Sequence, residues 1–294
     1  MSDNGTTVGL PIYNEEANVG ALIDFLLTEP GIVRIVAVDD HSSDASYAII
    51  RERARRDDRV LALQTPERSG QLAAWRIVAE RAATDSVVIV DADSRPAAGA
   101  VACLAEALAA DAGAAIVSGR VEPDAASAIW TAARFRATIL HRVRALQRPK
   151  EAIIGRFFAV RRGWFTETAT RSDIIANDAF LGASAEREHL RATYVPEAVV
   201  RYCEAQTTYD FAAQRQRADA GYRQLRGLGI LRKSDEPTIV DYARCLVAAA
   251  WRDPRGATAW IGEQIKARRI RAYKQSGKDE GAWEIQATTK RSID

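Results

Sequence analysis

The sequence predicts an α/β fold: a Rossmann-like, mostly parallel central sheet with helices on both faces, followed by C-terminal amphipathic helices. Three observations carry that expectation. Apolar runs of strand length alternate with amphipathic stretches of helix length from Thr6 to Ser118, the mark of βα units whose crossovers cover a sheet. The run Val87-Val88-Ile89-Val90 has no polar alternation and reads as a strand buried on both faces. Acids stand at the carboxyl ends of two such runs, Asp39-Asp40 and Asp91-Ala92-Asp93, on the sheet edge where open α/β folds bind ligands.

Each element has its own signal. Thr6 to Ile12 is a first strand interrupted by Pro11, and Tyr13-Asn14-Glu15-Glu16 forms the turn after it. Ala17 to Thr28 is a helix with Val19, Leu22, Ile23, Leu26 and Leu27 on one face, stopped by Glu29-Pro30-Gly31. Ile32 to Val38 is the second strand, and Asp44 is placed to cap a helix running through Arg55. Val60 to Leu63 is a third strand, and a helix from Gln71 to Ala83 leads into Val87–Val90. Beyond Asp93, Ala97 to Ala110 reads as a helix and Ala115 to Ser118 as another core strand.

The alternation then weakens. Asp124 to Gln147 is a long helical stretch rich in arginine, and Gly155 to Arg161 reads as an antiparallel strand near the site. Ser172 to Ala183 is partly helical and contains Asn177-Asp178. Two short strands, Thr193 to Val195 and Val199 to Tyr202, flank Pro196, and a helix from Thr208 to Gly227 follows. Ile239 to Trp251 and Gly256 to Tyr273 are amphipathic helices separated by Asp253-Pro254. The second carries Lys266, Arg268, Arg269, Arg271 and Lys274 opposite Trp260, Ile261, Ile265 and Ile270.

Composition narrows the function. With 294 residues and 47% hydrophobic content, the chain can bury one large core, with or without an appendage. Lys+Arg number 41 against 39 Asp+Glu, and a net charge of +2 argues against a nucleic-acid binder, which carries a strongly basic face. Cys103, Cys203 and Cys245 are scattered without metal-site spacing, which suits a reducing compartment. Met1–Gly5 lacks the features of an export signal, and the longest apolar stretch, around Cys245 to Trp251, is too short to span a bilayer. The expected location is cytoplasmic or peripheral to the inner face of the cell membrane. The Ala- and Arg-rich composition suits a bacterial source.

Two carboxylates at i and i+2 beyond a buried strand are costly unless something pairs with them. A divalent cation completed by phosphate oxygens would do so. The plainer alternative is that Asp93 caps the helix after Arg95-Pro96 while Asp91 is solvated, and the two readings are even on these residues alone.

The rest of the chain breaks the tie. Pro11-Ile12-Tyr13-Asn14-Glu15-Glu16, Val38-Asp39-Asp40-His41-Ser42-Ser43-Asp44, Ser69-Gly70-Gln71, Asp91-Ala92-Asp93, Asn177-Asp178 and Gln214-Arg215-Gln216-Arg217 follow one another in chain order. This succession resembles the family 2 inverting glycosyltransferases of the GT-A fold, including the synthase branch with a Q-x-x-R-W motif, over Thr6 to Leu228. The resemblance implies a catalytic domain over 1–230, and the composition beyond it reads as an amphipathic helical appendage over 231–275 and a polar tail over 276–294. It implies that Pro11, Tyr13 and Glu15 line the nucleotide pocket and that Asp39 or Asp40 accepts a hydrogen bond from the base. Gly70 and Gln71 would border the nucleotide. Asp91 would face ribose or the metal-bound diphosphate, and Asp93, with Asp91, would ligate Mn2+ or Mg2+. Asp178 matches the family's catalytic base, and Gln214 and Arg217 match residues near diphosphate and acceptor. Asp40, Asp93 and Asp178 are therefore expected to converge on one cavity.

The implied reaction is transfer of a sugar from a nucleotide-diphosphate donor, a uridine one by expectation, to a hydroxyl of a carbohydrate, a lipid-linked sugar or a small molecule. A departing nucleoside diphosphate accumulates negative charge that a metal and Arg217 would stabilise. The acceptor hydroxyl must lose a proton as it attacks, and a carboxylate across the sugar can take it, inverting the anomeric carbon. The sequence departs from the family's pattern at Ala218, where the tryptophan of Q-x-x-R-W would stack on acceptor sugar, at Trp75-Arg76 in place of Leu-Asn, and at Asn177 in place of Glu. The missing aromatic favours one sugar per encounter over processive synthesis. A nucleotidyltransferase, which needs no Asp178, and a catalytically silent sugar-nucleotide-binding module are the alternatives. The basic helix 256–274 either contacts a membrane surface, packs on the catalytic domain or forms a homodimer contact.

Overall fold

The computed structural model describes residues 5–124, 130–146, 153–171, 173–204 and 207–274, with backbone alone at 235 and 270–274. Its centre is an eight-stranded sheet of order β3-β2-β1-β4-β7-β6-β8-β5. The first half, β1 (Thr6–Ile12), β2 (Ile32–Asp39), β3 (Val60–Gln64) and β4 (Ser86–Val90), is parallel. Helices α1 (Val19–Thr28), α2 (Ser46–Arg56) and α3 (Gln71–Glu80) make its crossovers. Alternation along each strand feeds two cores. Val36, Val38, Val87 and Ile89 face Trp75 and Val78 of α3, whereas Ile35, Ala37, Val88 and Val90 share the other core with Leu22 and Leu26 of α1. Gly9 in β1 lets α3 approach closely, since a Cβ there would fall 2.2 Å from Val78 Cγ1.

The second half turns antiparallel. Strand β7 (Phe157–Arg161) runs against both β4 and β6 (Ala114–Pro123), and β8 (Arg191–Tyr202) runs parallel to β6. The two expected strands around Pro196 are one twelve-residue strand. The register jumps from Gly119↔Val195 to Arg120↔Val199, so Pro196 sits in a bulge where its missing N–H costs no ladder bond. The helix expected from Ala97 starts only at Ala100 (α4, Ala100–Ala110) because Ser94–Pro96 forms the edge strand β5 against β8. Its N-cap is Gly99, whose N–H donates to Glu29 Oε2 at 2.8 Å, so the alternative in which Asp93 caps this helix is overturned.

Helix α5 (Trp130–Arg144) lies within the long stretch expected over 124–147, of which 125–129 and 147 fall outside the described residues. Helix α6 (Arg162–Thr168) follows β7, and α7 (Asn177–Arg187) starts at the Asn177-Asp178 pair; Ser172 lies outside the described residues. Helix α8 (Thr208–Gly227) has the expected bounds. Helix α9 (Ile239–Arg252) opens with a reciprocal capping box between Thr238 and Asp241. Helix α10 (Pro254–Lys274) lies against α5 and α8: the Trp260 ring is 6.0 Å from Phe135, and Ala267 is buried with Phe211 and Ala212. Ile261 and Ile265 are half exposed, so the apolar residues of α10 do not form one stripe. The tail 276–294 lies outside the described residues. No described helix is long and apolar enough to cross a membrane.

Candidate active site

The carboxyl ends of β1, β2 and β4 carry the acids, and each acid meets a different fate. Asp40, buried, accepts from Thr65 Oγ1 at 3.2 Å, from the Ser69 N–H at 2.7 Å and from the Gly70 N–H at 2.9 Å. Both its oxygens therefore hold the turn in which Gly70, at φ 87°, starts α3. Asp39 is fully buried and accepts at Oδ2 alone, from the Ser42 N–H at 3.1 Å and Gln64 Nε2 at 3.0 Å. Its Oδ1 is buried without a hydrogen-bond partner. Such an atom is costly unless a ligand completes it. Of the two acids, Asp39 is thus the one with an acceptor to spare.

Around them the β1 turn is tied to the β2 turn. The Asn14 N–H donates to Ser42 Oγ and the Ser43 N–H to Asn14 Oδ1, at 2.9 and 2.8 Å. Glu15 is buried, takes Asn18 Nδ2 at 3.1 Å and donates its own N–H to Ser46 Oγ at 2.7 Å. The Tyr13 ring lies 3.8 Å under the Arg68 guanidinium, and Pro11 pairs with Val38 in the ladder.

Antiparallel pairing of β4 with β7 sets Val90 opposite Phe157, so the next residues, Asp91 and Arg156, also meet: the Asp91 N–H donates to the Arg156 carbonyl at 2.9 Å. From there Arg156 Nη1 reaches both oxygens of Asp93, at 2.7 and 2.8 Å, with its guanidinium 4.6 Å from the Tyr202 ring. Burial opposes the charge on Arg156, yet Asp93 and Asp91 outweigh it and raise its pKa. Nothing in the sequence pattern marked Arg156; only the register of β7 brings it to the acids.

Gln71 connects this pair to α7. Its Nε2 donates to Asp91 Oδ1 at 3.3 Å, and its Oε1 accepts from Asn177 Nδ2 at 3.4 Å. Asp178 follows in the first turn of α7 and accepts its neighbour Ala179's N–H at 2.8 Å. Helix α8 brings Gln214, Arg217 and Ala218. Burial first, then the charge on Arg156, lower the Arg217 pKa, while Asp178 and Asp91 counter in part.

These groups line one cavity of about 930 Å³, which holds Gln71, Asp91, Arg156, Asp178, Gln214 and Arg217. Asp93 stands behind the wall, bonded to Arg156, and Asp40 does not line the cavity; the convergence expected of acids 40, 93 and 178 holds on the wall itself for Asp178 alone, with Asp91 beside it. Further lining comes from residues that sequence reasoning did not select. Arg136 of α5 donates to the buried Glu204 at 3.1 Å, and the Tyr202 hydroxyl donates to the same oxygen at 2.7 Å. Burial, then Glu204, raise the Tyr202 pKa and keep it a neutral donor. Tyr242 and Leu246 of α9 and Trp260 and Gln264 of α10 close another side.

The donor set that the sequence offered for a divalent metal would be two carboxylates, Asp91 and Asp93. No group of three or more His, Cys, Asp or Glu side chains among the described residues could hold a metal alone. Two carboxylates completed by substrate phosphates are nevertheless a usual Mg2+ arrangement. Asp93 receives only one nitrogen of Arg156 and keeps lone pairs for a cation, so the residues fit.

Residues 7–168 match the family described as Glycosyl transferase family 2. Among solved structures, the chain is similar to the mannosyltransferase PcManGT from Pyrobaculum calidifontis in complex with GDP-Man and Mn2+. The TM-score is 0.62 at 20% identity, over 94% of this chain and 76% of that one. It is also similar to mannosyl-3-phosphoglycerate synthase from Rubrobacter xylanophilus (TM-score 0.51, 17% identity, 78% of this chain and 76% of that one). A third is GalNAc-T7 with UDP, GalNAc and Mn2+ (TM-score 0.53, 14% identity, 68% of this chain and 43% of that one). No curated protein matches the chain in sequence.

Proposed function

From the premise that this chain belongs to glycosyltransferase family 2, we propose that it moves one sugar per encounter from a nucleoside-diphosphate sugar to an acceptor hydroxyl, with inversion. The observation that carries this reading is one cavity lined by Asp91, Asp178, Arg156 and Arg217: two acids and two cations around space for an activated monosaccharide.

The base of the nucleotide enters between the β1 and β2 turns, where the spare Oδ1 of Asp39 accepts the imide N–H of uracil. Tyr13, Pro11 and Glu15 flank it, and Gly70 with Gln71 borders the ribose and diphosphate. Asp91 and Asp93 would hold a Mn2+ or Mg2+ ion. When bound, that ion supplies positive charge to the leaving diphosphate. Arg217 adds a desolvated guanidinium, which is worth more in a dry cavity than in water. Gln214 orients the acceptor side, and Asp178 takes the proton of the attacking hydroxyl. Ala218 puts no aromatic at the motif's own position, while Tyr222 of the same helix and Trp260 of α10 line the cavity and offer aromatic faces for acceptor sugar.

Thermal-shift titration with UDP- and GDP-linked sugars in the presence of Mn2+, followed by assay of nucleoside diphosphate release, tests the reading. A ligand that binds only the folded chain raises its melting temperature. A uridine donor that stabilises the protein and slowly yields UDP supports it. Stabilisation with no release under any acceptor would leave a binding module, and pyrophosphate release would mean nucleotidyl transfer.

A further inference from the structure

Helix α9 has two apolar faces where a surface helix normally has one. Tyr242, Cys245, Leu246 and Ala249 pack inward with Phe135, Ile139 and Val143 of α5. A second stripe, Ile239, Ala243, Val247 and Trp251, recurs every four residues and points outward. Ile239 is 85% exposed, Val247 67% and Trp251 89%. Contiguous apolar surface left in water marks an interaction face. Arginines border it: Arg142, Arg244 and Arg252 line one shallow groove with Val247 and Trp251. The nearby acids are engaged elsewhere, Asp241 in the cap with Thr238 and Asp253 with Arg134 and the Gly256 N–H.

We propose that this outward face of α9 docks on an anionic lipid bilayer. Trp251, Val247 and Ile239 enter the boundary between headgroups and acyl chains, and Arg142, Arg244 and Arg252 meet lipid phosphates. The charge chooses the occupant. A second copy of the chain would set these arginines against their own duplicates, and like charges across an interface are costly. A purely apolar partner would desolvate the guanidinium groups with nothing in return. Ala243 lines both this groove and the catalytic cavity, so docking sets the cavity's rim at the lipid surface. Helix α10, in contrast, turns Trp260 onto Phe135 and Ala267 onto Phe211, which leaves α9 the better-furnished contact. The surface goes beyond the transfer reaction and does not depend on it.

Flotation of the full-length protein with phosphatidylcholine vesicles, with and without phosphatidylglycerol, tests this. The expected result is binding to the anionic vesicles that weakens with salt. It falls about tenfold or more in Val247→Ser/Trp251→Ser and in Arg244→Ala/Arg252→Ala. These side chains are exposed, so both variants should keep the parent's circular dichroism and melting temperature, which separates lost docking from lost folding. Absence of flotation on anionic vesicles, equal binding by the double variants, or a dimer in light scattering that Trp251→Ser dissociates would overturn the proposal.

Discussion

At the ends of β1 and β2, polar side chains satisfy one another: Asp40 with the Ser69–Gly70 turn, Asn14 with Ser42 and Ser43, and Glu15 with Asn18 and Ser46. The wall across the cavity is built otherwise. Arg136 from α5, Arg156 before β7, Asp178 from α7, Tyr202 from β8 and Arg217 from α8 come from five segments, and their charges are balanced only in the folded chain. The first region is a scaffold that, on the proposed reading, binds through the little it leaves unsatisfied. The second is a set of charges held close at a desolvation cost, which is what stabilising a charged leaving group requires.

The largest expected effect falls on the second wall. Asp178→Asn keeps the shape and removes the basic carboxylate, so turnover should fall about a hundredfold or more. Titration calorimetry with nucleoside diphosphate should show donor affinity nearly unchanged. Unchanged turnover would remove Asp178 as base, and lost nucleotide affinity would mean that the two regions are not separable.

Next comes Arg156→Ala, which leaves the buried Asp93 with no cation and only the Ser94 hydroxyl at 3.4 Å. Breaking one side of such a pair costs about 3 kcal/mol, measurable by denaturant unfolding, and donor affinity should fall with it. Arg156→Lys should recover only part, because an ammonium lacks the planar donor geometry of guanidinium. Equal stability of Arg156→Ala and the parent would show that the acids do not rely on this cation.

These two residues also show what was legible beforehand. The parallel half of the sheet could be read from apolar runs because βα units are local, and Asp178 could be singled out because its motif is contiguous in the chain. Arg156 could not. The sequence placed the Gly155–Arg161 strand antiparallel near the site, but which of its residues meets the acids depends on the register Val90↔Phe157, which no neighbour in sequence sets. The same holds for Arg136, Tyr202 and Glu204, which meet through hydrogen bonds to Glu204 that join α5 to a segment far away in the chain. Pro196 divided one strand into two on paper because the bulge that accommodates it belongs to the partner strand's register.

The scaffold region should yield smaller and more divided effects. Asp39→Asn, which weakens the one acceptor left for the base, should lower uridine nucleotide affinity about tenfold, in line with a hydrogen bond to a charged group. Asp40→Ala should instead cost about 1–2 kcal/mol of stability, because the Ser69 and Gly70 N–H groups lose their acceptor. Reversal of this pattern, with Asp40 controlling affinity and Asp39 stability, would exchange their roles.

The smallest effect is a pH dependence on α5, the helix that gives Arg136 to the second region. His141 on α5 contacts the Tyr194 hydroxyl through Nδ1 at 2.8 Å. Burial first, then Arg120, Arg142 and Arg144, lower its pKa below the ordinary 6.5, with Glu122 opposing weakly. The unfolded chain therefore takes up a proton at this site at higher pH than the folded chain does. Stability should be indifferent to His141 well above pH 6.5 and should decline as pH falls through that value toward the folded pKa. Burial and three nearby arginines make this position unfavourable for one more cation. Melting temperatures measured from about pH 7.5 to about pH 5 should fall less steeply in His141→Gln than in the parent. Parallel slopes would remove His141 as a source of the acid sensitivity, since Asp57 and Asp111, whose arginine partners hold their pKa values low, weaken the fold only at more acid pH.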